Sequence, residues 1–150
     1  MSDRHIVCPH CDTVNRISAG KPAQRAKCGK CHKALFTGEP TAMDIARFDM
    51  HIARNDIPVL VDFWADWCGP CKMMEPVFKA LAAETEPEIR FLKVDTEAEP
   101  ALAARYNIRS IPMLMAFRNG KMVAQQAGAM NERMLRVWIA QHVTAMEKSG

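Results

Sequence analysis

The spacing of apolar residues predicts alternating strands and helices from residue 44 onward. Residues 59–64 form a nearly continuous run of β-branched and aromatic side chains, which is typical of a strand buried on both faces. A second apolar run predicts a strand at 89–94, and a helix around 99–106 follows it. The helix after residue 68 has core-facing positions at i, i+3, i+4 and i+7, namely Met74, Val77, Phe78 and Leu81. This order of elements indicates a parallel sheet.

The pattern changes after residue 112 and predicts a hairpin followed by a last helix. Apolar segments at 113–117 and 122–125 flank Asn119-Gly120, and Asn-Gly is the strongest short hairpin signal. The last helix is expected to begin after Asn131, a favourable cap residue. Its apolar stripe is expected to contain Leu135, Trp138, Ile139 and His142. An antiparallel hairpin therefore extends the parallel sheet.

Residues 1–38 differ in composition from the rest of the chain. They hold seven Lys and Arg against two Asp and Glu, whereas residues 39–150 hold thirteen Lys and Arg against fifteen Asp and Glu. Only seven side chains of residues 1–38 are large and apolar. Fragments below ~40 residues rarely fold without a metal, a disulfide or a partner. We expect a metal-binding module at 1–38, a linker at 39–43 and a larger domain at 44–150. The short strands expected in the module are 14–17 and 34–36.

Four cysteines in this module have the spacing of a metal site. Two Cys-x-x-Cys pairs separated by sixteen residues supply four soft thiolates for tetrahedral Zn²⁺. In zinc-finger peptides the metal contributes roughly 10–16 kcal/mol of apparent folding free energy, which replaces a missing core. We expect one structural zinc ion per chain, held by Cys8, Cys11, Cys28 and Cys31.

Three other interpretations of these cysteines are less favoured. The sequence CGKCH at 28–32 matches the attachment pattern of c-type haem, but that chemistry requires export. Cys8 and Cys11 are a candidate redox dithiol, but no strand and long helix frame them to lower a thiol pKa. Ordinary disulfides are disfavoured in a reducing compartment.

Composition and charge exclude several protein classes. The 150 residues are 49% apolar and 25% charged, with a net charge of +3, which is typical of a soluble globular protein. No segment approaches the ~18 unbroken apolar residues of a membrane span, and the first residues lack a signal-peptide core, so we expect a cytoplasmic protein without membrane contact. The module's basic residues raise nucleic-acid binding as an alternative, but Phe36 is its only aromatic residue for base stacking. Charge compensation of a Zn(Cys)₄ centre is preferred, with no nucleic-acid partner.

The third cysteine pair lies where the buried strand at 59–64 passes into a helix. Cys68 is expected at the helix N-terminus, where unpaired N–H groups and the macrodipole favour thiolate over thiol. Cys71 lies one turn further in. Cys68 is therefore expected to attack a disulfide of another molecule, and Cys71 to resolve the mixed disulfide.

The segment FWADWCGPCK at 63–72 closely resembles the active-site signature of the thioredoxin family. Ile111-Pro112, Asn119-Gly120 and Gly128 fall where that family has its cis-proline, hairpin turn and late glycine. With the four-cysteine module in front, the chain resembles the zinc-containing thioredoxins of bacteria. The resemblance implies an α/β thioredoxin fold with a mixed five-stranded sheet and four helices, preceded by a zinc-ribbon-like module.

The resemblance also implies function. It suggests a protein-disulfide reductase that is itself reduced by an NADPH-dependent thioredoxin reductase and then reduces disulfide-containing client proteins, without a bound organic cofactor. We expect the chain to be a monomer. The residues expected to contact a client are Trp67, Gly69, Pro70, Ile111, Pro112, Met113 and Gly128. Trp67 and Met113, which replaces a threonine common in the family, predict an apolar rim around Cys68.

Asp62 is a carboxylate inside an otherwise apolar strand. Burial is expected to raise its pKa, so that it exchanges protons near neutrality. The resemblance makes it the general base toward Cys71, and a structural aspartate at a strand end is the alternative. The alignment places Phe91 where many thioredoxins have a lysine, with Lys93 two residues on. Without a lysine at position 91, we expect the pKa of Asp62 to be higher than that of the matching aspartate in those thioredoxins.

Two other functions stay open from sequence alone. One is a zinc-ribbon adaptor whose larger domain only binds partners, although the intact Cys68 and Cys71 pair disfavours it. The other is a disulfide oxidant or isomerase of the secretory pathway. The Gly69-Pro70 sequence between the cysteines, in place of a histidine, and the missing signal peptide disfavour that function.

Overall fold

The computed structural model describes residues 3–144 and contains a two-stranded and a five-stranded sheet. The elements, in chain order, are β1 (Arg4–Val7), β2 (Val14–Ile17), β3 (Thr41–Ala42), α1 (Ile45–Arg54), β4 (Val59–Trp64), α2 (Gly69–Thr85), β5 (Arg90–Asp95), α3 (Pro100–Arg105), β6 (Met113–Arg118), β7 (Lys121–Ala127) and α4 (Glu132–Ile139). A short 3₁₀ turn spans Ala23–Arg25, and a π-helical turn spans Ala140–Thr144. We call residues 3–38 the ribbon.

The five-stranded sheet has the order β3-β5-β4-β6-β7. β3, β5 and β4 run parallel, whereas β6 pairs antiparallel with both β4 and β7. The predicted mixed sheet with four helices is therefore confirmed. The stretch assigned from sequence to a linker, 39–43, includes β3, and Met43 is buried in the core of the larger sheet.

Local sequence signals account for most element boundaries. β4 occupies the predicted 59–64, and the hairpin turn places Asn119 and Gly120 at φ of 54° and 80°, as the tight turn requires. Asn131 caps α4, because its side chain accepts a hydrogen bond from the Met134 N–H at 2.8 Å.

Two expectations from the sequence are wrong. His142 is exposed, and Val143 is the buried residue, because the π-helical turn after α4 adds a residue per turn and shifts the apolar stripe. Segment 34–36 forms no strand but only an isolated bridge between Ala34 and Lys27; the partner of β2 is β1. Leu35 and Phe36 instead turn inward as buried side chains.

The sheet is covered on both faces. Side chains of α2 and α4 pack on one face, against Leu60, Phe91 and Leu114, and α1 and α3 cover the other, against Val61 and Phe63. Because successive side chains of β4 alternate between faces, Asp62 lies on the same face as Leu60, below α2. This alternation positions the carboxylate beneath the start of α2.

The ribbon has a small core of its own. Its members are Ile6, Cys8, Ile17, Ala23, Cys28, Leu35 and Phe36, together with Ile57 of the larger domain. Ile57 lies in the loop between α1 and β4, so the ribbon packs against the edge where β4 begins. No helix within residues 3–144 combines the length and apolar character needed to cross a membrane.

Truncating Phe48 to alanine is expected to destabilise the protein by about 3–5 kcal/mol. Phe48 is fully buried and packs its ring against Phe63, Tyr106 and Phe117. Denaturant unfolding measures the loss. The control, Met122→Ala, removes a side chain that is 43% exposed and is expected to change stability by no more than about 0.5 kcal/mol. Equal losses in the two variants would contradict this packing.

Candidate functional site

Cys68 and Cys71 lie at the start of α2 and are joined by a disulfide. Cys68 is the N-cap residue of the helix, and its Sγ accepts a hydrogen bond from the Cys71 N–H at 3.2 Å. The free N–H groups of a first turn and the helix macrodipole stabilise negative charge at this position. Both cysteines are nearly buried in the disulfide form, at 4% and 3% exposure. Position on the helix therefore distinguishes them better than exposure does.

The segment before Pro112 lies directly beside Cys68. The Ile111–Pro112 peptide bond is cis, as expected, and the Ile111 carbonyl oxygen lies 3.6 Å from Cys68 Sγ. The Pro112 carbonyl accepts a hydrogen bond from the Gly128 N–H at 2.9 Å. Gly128 has a φ of 98° and open space around the position that a Cβ would take. The structure thus brings Ile111 beside the disulfide and Gly128 beside Pro112.

A surface groove beside this segment is lined by Trp67, Glu97 and Ile111, among other residues. Trp67 is 70% exposed, and its indole N–H donates a 2.6 Å hydrogen bond to Glu97 Oε1. Met113, which begins β6, is half-buried, and Gly69 has open space around the position that a Cβ would take. The sequence did not single out Glu97, because the contact joins residues thirty positions apart.

A cavity of about 210 Å³ lies behind the disulfide. Among the described residues, Cys71 rather than Cys68 lines it, together with Asp62 and the charged side chains of Glu39, Asp66, Lys72, Glu75, Lys79 and Lys93. Asp62 is 5% exposed, and its Oδ1 finds no hydrogen-bond partner within residues 3–144. Burial raises the pKa of Asp62 to about 7, with Lys93 opposing and Glu75 adding to the increase.

A cation does lie near Asp62, although Phe91 occupies the position at which the lysine was sought. Lys93 is the residue of β5 that pairs with Asp62 of β4, and its charge lowers the pKa of the carboxyl. Phe91 belongs to the apolar core, where its ring lies 5.1 Å from that of Phe78. The strand register decides this point: Asp62 and Lys93 are Cα partners, whereas Phe91 pairs with Leu60.

The four ribbon cysteines form a second cluster. Their Sγ atoms all lie within 4.8 Å of one another, and none of the four is in a disulfide. Cys8 Sγ lies 3.7 Å from Cys31 Sγ, and Cys11 Sγ lies 3.6 Å from Cys28 Sγ. Zn–S bonds of about 2.3 Å in a tetrahedron place sulfurs about 3.8 Å apart. The cluster therefore fits a tetrahedral thiolate-bound metal ion.

Hydrogen bonds to the sulfurs stabilise negative charge on this cluster. Backbone N–H groups of His10 and Lys30 lie 3.4 Å from Cys8 Sγ and Cys28 Sγ, respectively. A backbone hydrogen bond from Cys31 and a side-chain bond from Asn15 lower the pKa of Cys28 to about 5. Burial raises the pKa of Cys8 to about 12. A Cys8 thiolate therefore needs a compensating positive charge, which a metal ion supplies.

Comparison with known proteins gives matches over both parts of the chain. The family model described as Thioredoxin matches residues 39–141, and the model described as Thioredoxin 2, N-terminal, matches residues 7–33. Thioredoxin C-3 of Corynebacterium nephridii is 44% identical over 138 residues, which cover 92% of this chain and 94% of that protein. Thioredoxin of Porphyra purpurea is 44% identical over 99 residues, covering 66% and 92%.

A solved structure gives the same result for the fold. A mutant thioredoxin from Halobacterium salinarum NRC-1 superimposes with a TM-score of 0.64 and 35% sequence identity. The match covers 72% of this chain and 94% of that one.

Replacing Asp62 by asparagine is expected to stabilise the oxidised protein at neutral pH. Because the pKa of this buried carboxyl is raised from 3.8 to about 7, ionisation opposes folding. The penalty is absent below about pH 4, grows up to about pH 7 and is constant above it, where it reaches about 4 kcal/mol. Denaturant unfolding of both proteins at about pH 4 and pH 8 measures this difference.

Asp66→Asn is the control for this experiment, because Asp66 lines the same cavity but is exposed. It is expected to change stability by no more than about 0.5 kcal/mol at either pH. A gain from Asp62→Asn that is equal at both pH values would argue against a raised pKa.

Proposed function

Because the chain belongs to the thioredoxin family and is a disulfide oxidoreductase, we propose that it reduces disulfides in client proteins through Cys68 and Cys71. The observation that carries this proposal is the position of Cys68 Sγ. It caps α2, where negative charge is stabilised, and it lies 3.6 Å from the Ile111 carbonyl at the edge of an open groove. A sulfur held in this way is stabilised as a thiolate once the disulfide is reduced, and it lies beside the groove into which we place the client.

The exchange proceeds in two steps. The Cys68 thiolate of the reduced protein attacks one sulfur of a client disulfide, forming a mixed disulfide and releasing the other client sulfur as a thiolate, which takes up a proton. Cys71 then loses its proton and attacks Cys68, which releases the client dithiol and leaves the Cys68–Cys71 disulfide. Two electrons pass from this protein to the client, and the two reacting protein thiols become a disulfide.

Asp62 is the base in the second step. It shares a cavity with Cys71, and burial raises its pKa to about 7, so it accepts and returns a proton near neutral pH. Lys93 stabilises the ionised carboxylate that exists before the proton is taken up. The cavity connects the buried Asp62 carboxyl with solvent, and exposed charged residues, including Glu75, line it.

The client binds along the groove beside Cys68. An extended client segment pairs with the backbone around Ile111 and Pro112, while Trp67 and Met113 provide an apolar rim. Gly69 and Gly128 have open space where a Cβ would lie, which leaves room for the client backbone, and the exposed Pro70 is a further contact. Backbone pairing with soft apolar contacts suits many different clients.

Regeneration of the dithiol requires two electrons from outside this chain. We assign this step to an NADPH-dependent thioredoxin reductase, following the general behaviour of the family. The cytoplasmic location and the monomeric state expected from the sequence stay predictions.

The ribbon holds one structural zinc ion, with Cys8, Cys11, Cys28 and Cys31 as its ligands. When bound, zinc links the two knuckles of the ribbon and neutralises part of the thiolate charge. The sulfur spacing of 3.6–3.7 Å supports this assignment. Four protein ligands complete the coordination shell, so the ion takes no part in disulfide exchange.

Cys68→Ser is expected to abolish reduction of insulin disulfides, because the sulfur that caps α2 and attacks the client is then missing. Cys71→Ser is expected to accumulate a mixed disulfide with insulin, which non-reducing electrophoresis and mass spectrometry detect. Met122→Ser on β7 is the control and is expected to retain full activity. NADPH consumption with thioredoxin reductase measures turnover.

Residual turnover in Cys68→Ser would contradict the proposed order of attack. If the larger domain only bound partners, the unmodified protein would show no turnover either. A disulfide oxidant predicts a reduction potential well above the range of cytosolic reductants. These outcomes separate the reductase from both alternatives.

The purified protein is expected to contain one zinc ion per chain by inductively coupled plasma mass spectrometry. Cys8→Ser and Cys31→Ser are expected to lose it, because each removes one ligand of the set. Cys68→Ser should retain the full amount, since that cysteine lies outside the cluster. Zinc that is lost equally from Cys68→Ser would show that the ribbon cysteines are not the ligand set.

A further inference from the structure

Arg90 is a buried cation between the ribbon and the larger domain. It begins β5, and at 1% exposure it is among the largest fully buried side chains within residues 3–144. Removing a guanidinium from water costs several kcal/mol unless hydrogen bonds and opposite charges replace the solvent. The partners of Arg90 therefore explain why the fold tolerates it.

Two of these partners are backbone carbonyls of the ribbon. Arg90 Nη2 donates to the Leu35 oxygen at 2.8 Å and to the Val7 oxygen at 3.2 Å. The guanidinium also lies over the Phe36 ring, 4.5 Å from its centroid. These contacts fix a side chain of the larger domain between two separate segments of the ribbon.

The acidic partner of Arg90 comes from the larger domain. Glu86 Oε2 lies 3.4 Å from Arg90 Nη1, and Glu86 Oε1 accepts a hydrogen bond from the Gly38 N–H at 2.9 Å. Arg90 Nε has no partner within residues 3–144. The two side chains are 1% and 2% exposed, so Arg90 and Glu86 form a buried ion pair that also holds Gly38 of the ribbon.

The ribbon segments that Arg90 contacts lead directly to the cysteine cluster. Val7 immediately precedes Cys8, and Leu35 and Phe36 belong to the same small core as Cys8. Burial lowers the pKa of Arg90, while the charges of Glu86 and Cys8 oppose the decrease. Cys8 is itself a buried sulfur. Arg90 thus places a buried guanidinium against the backbone that carries Cys8.

The ribbon's own cations are poorly placed for this role. Arg16, for example, is 68% exposed and pairs with Asp3 at 3.7 Å, so solvent and salt screen its charge. Four thiolates around Zn²⁺ leave a net charge of about −2, which a desolvated cation stabilises far more effectively. The buried Arg90 is therefore a more effective counter-charge than the exposed Arg16.

A second set of contacts holds the first knuckle on α1. Asp12, which follows Cys11, accepts hydrogen bonds at 3.0 Å on both oxygens from Arg47 Nε, and His51 Nε2 lies 2.8 Å from Asp12 Oδ1. Arg47 Nη2 also donates to the Pro9 oxygen at 2.7 Å. The backbone around Cys8 and Cys11 is therefore held by the larger domain from two directions.

We propose that Arg90 is a positioning residue of the metal centre, which fixes the Cys8 backbone and compensates the thiolate charge. Metal binding and docking of the ribbon on the larger domain are then one coupled equilibrium. The inference rests on the proposed zinc site. Any group that binds only the docked state stabilises docking, and by linkage a docked ribbon binds metal more tightly.

Three variants test the charge and the contacts separately. Arg90→Gln removes the charge but keeps a hydrogen-bond donor, and Arg90→Lys keeps the charge. Arg16→Gln removes an exposed ribbon charge as the matched control. Zinc affinity is measured by competition with the chelator 4-(2-pyridylazo)resorcinol. We expect a loss of about 10–100-fold in Arg90→Gln, substantial recovery in Arg90→Lys and a wild-type value in Arg16→Gln.

Co²⁺ titration provides a spectroscopic readout of the same variants. The sulfur-to-cobalt charge-transfer band reports the electrostatic field at the thiolates, which a merely structural arginine would not change in a charge-dependent way. The band is expected to shift in Arg90→Gln and to return toward the wild-type position in Arg90→Lys. Insulin reduction by each variant verifies that the larger domain is folded.

Hydrogen exchange of the wild-type protein tests the coupling without any substitution. The Asp56 N–H donates to the His5 oxygen across the interface, and the Val7 N–H donates to Asn55 Oδ1 at 2.8 Å. Removing zinc by chelation is expected to accelerate exchange at these two amides. The Phe63 amide, in the middle of β4, is expected to keep its protection.

Three results would overturn the inference. They are wild-type zinc affinity in Arg90→Gln, no recovery in Arg90→Lys, and unchanged exchange at Val7 and Asp56 after zinc removal. Each of them leaves the proposed zinc site intact, provided the wild-type protein binds one zinc ion. A wild-type protein that binds no zinc would instead overturn the proposed site itself.

Discussion

The hydrogen bond from the Cys71 N–H to Cys68 Sγ is the interaction on which the chemistry depends. It makes a sulfur the N-cap of α2, so the same atom ends the turn after β4, begins the helix and meets its positive end. Around it the fold places the Ile111 carbonyl on one side and the cavity that contains Asp62 beneath. The junction of β4 and α2 therefore positions the reactive sulfur and the proton acceptor, and the segment before β6 adds the Ile111 carbonyl beside them.

β4 and β5 connect the two functional regions of the molecule. Ile57, in the loop just before β4, and Arg90, the first residue of β5, lie against the ribbon. Trp64, the last residue of β4, and Lys93 of β5 line the cavity behind the disulfide. Six residues of strand span about 20 Å, so the cysteine cluster and the disulfide lie near opposite ends of the same strands. Ligands of open parallel sheets commonly bind at the carboxyl ends of strands, as the client is proposed to do here. The amino ends are occupied by the ribbon.

Local sequence patterns predicted the individual elements around the site better than they predicted contacts between distant segments. The apolar run at 59–64, the Asn119-Gly120 turn and the Asn131 cap depend on neighbouring residues and appear in the structure as expected. The position of Lys93 opposite Asp62 depends on how two strands align, which spacing alone does not determine. The ribbon interface is harder still to predict from the sequence. Arg90 is far along the chain from Val7 and Leu35, and only the fold places their carbonyls beside it.

The rate at which reduced Cys68 is alkylated tests the central claim most directly. With iodoacetamide near pH 6.5, mass spectrometry of the reduced protein follows modification of Cys68 and Cys71 separately, with glutathione as the reference thiol. A sulfur stabilised as a thiolate by the start of α2 is predicted to react several-fold faster than glutathione and much faster than Cys71. A Cys68 rate equal to that of glutathione, or a faster reaction at Cys71, would contradict the account.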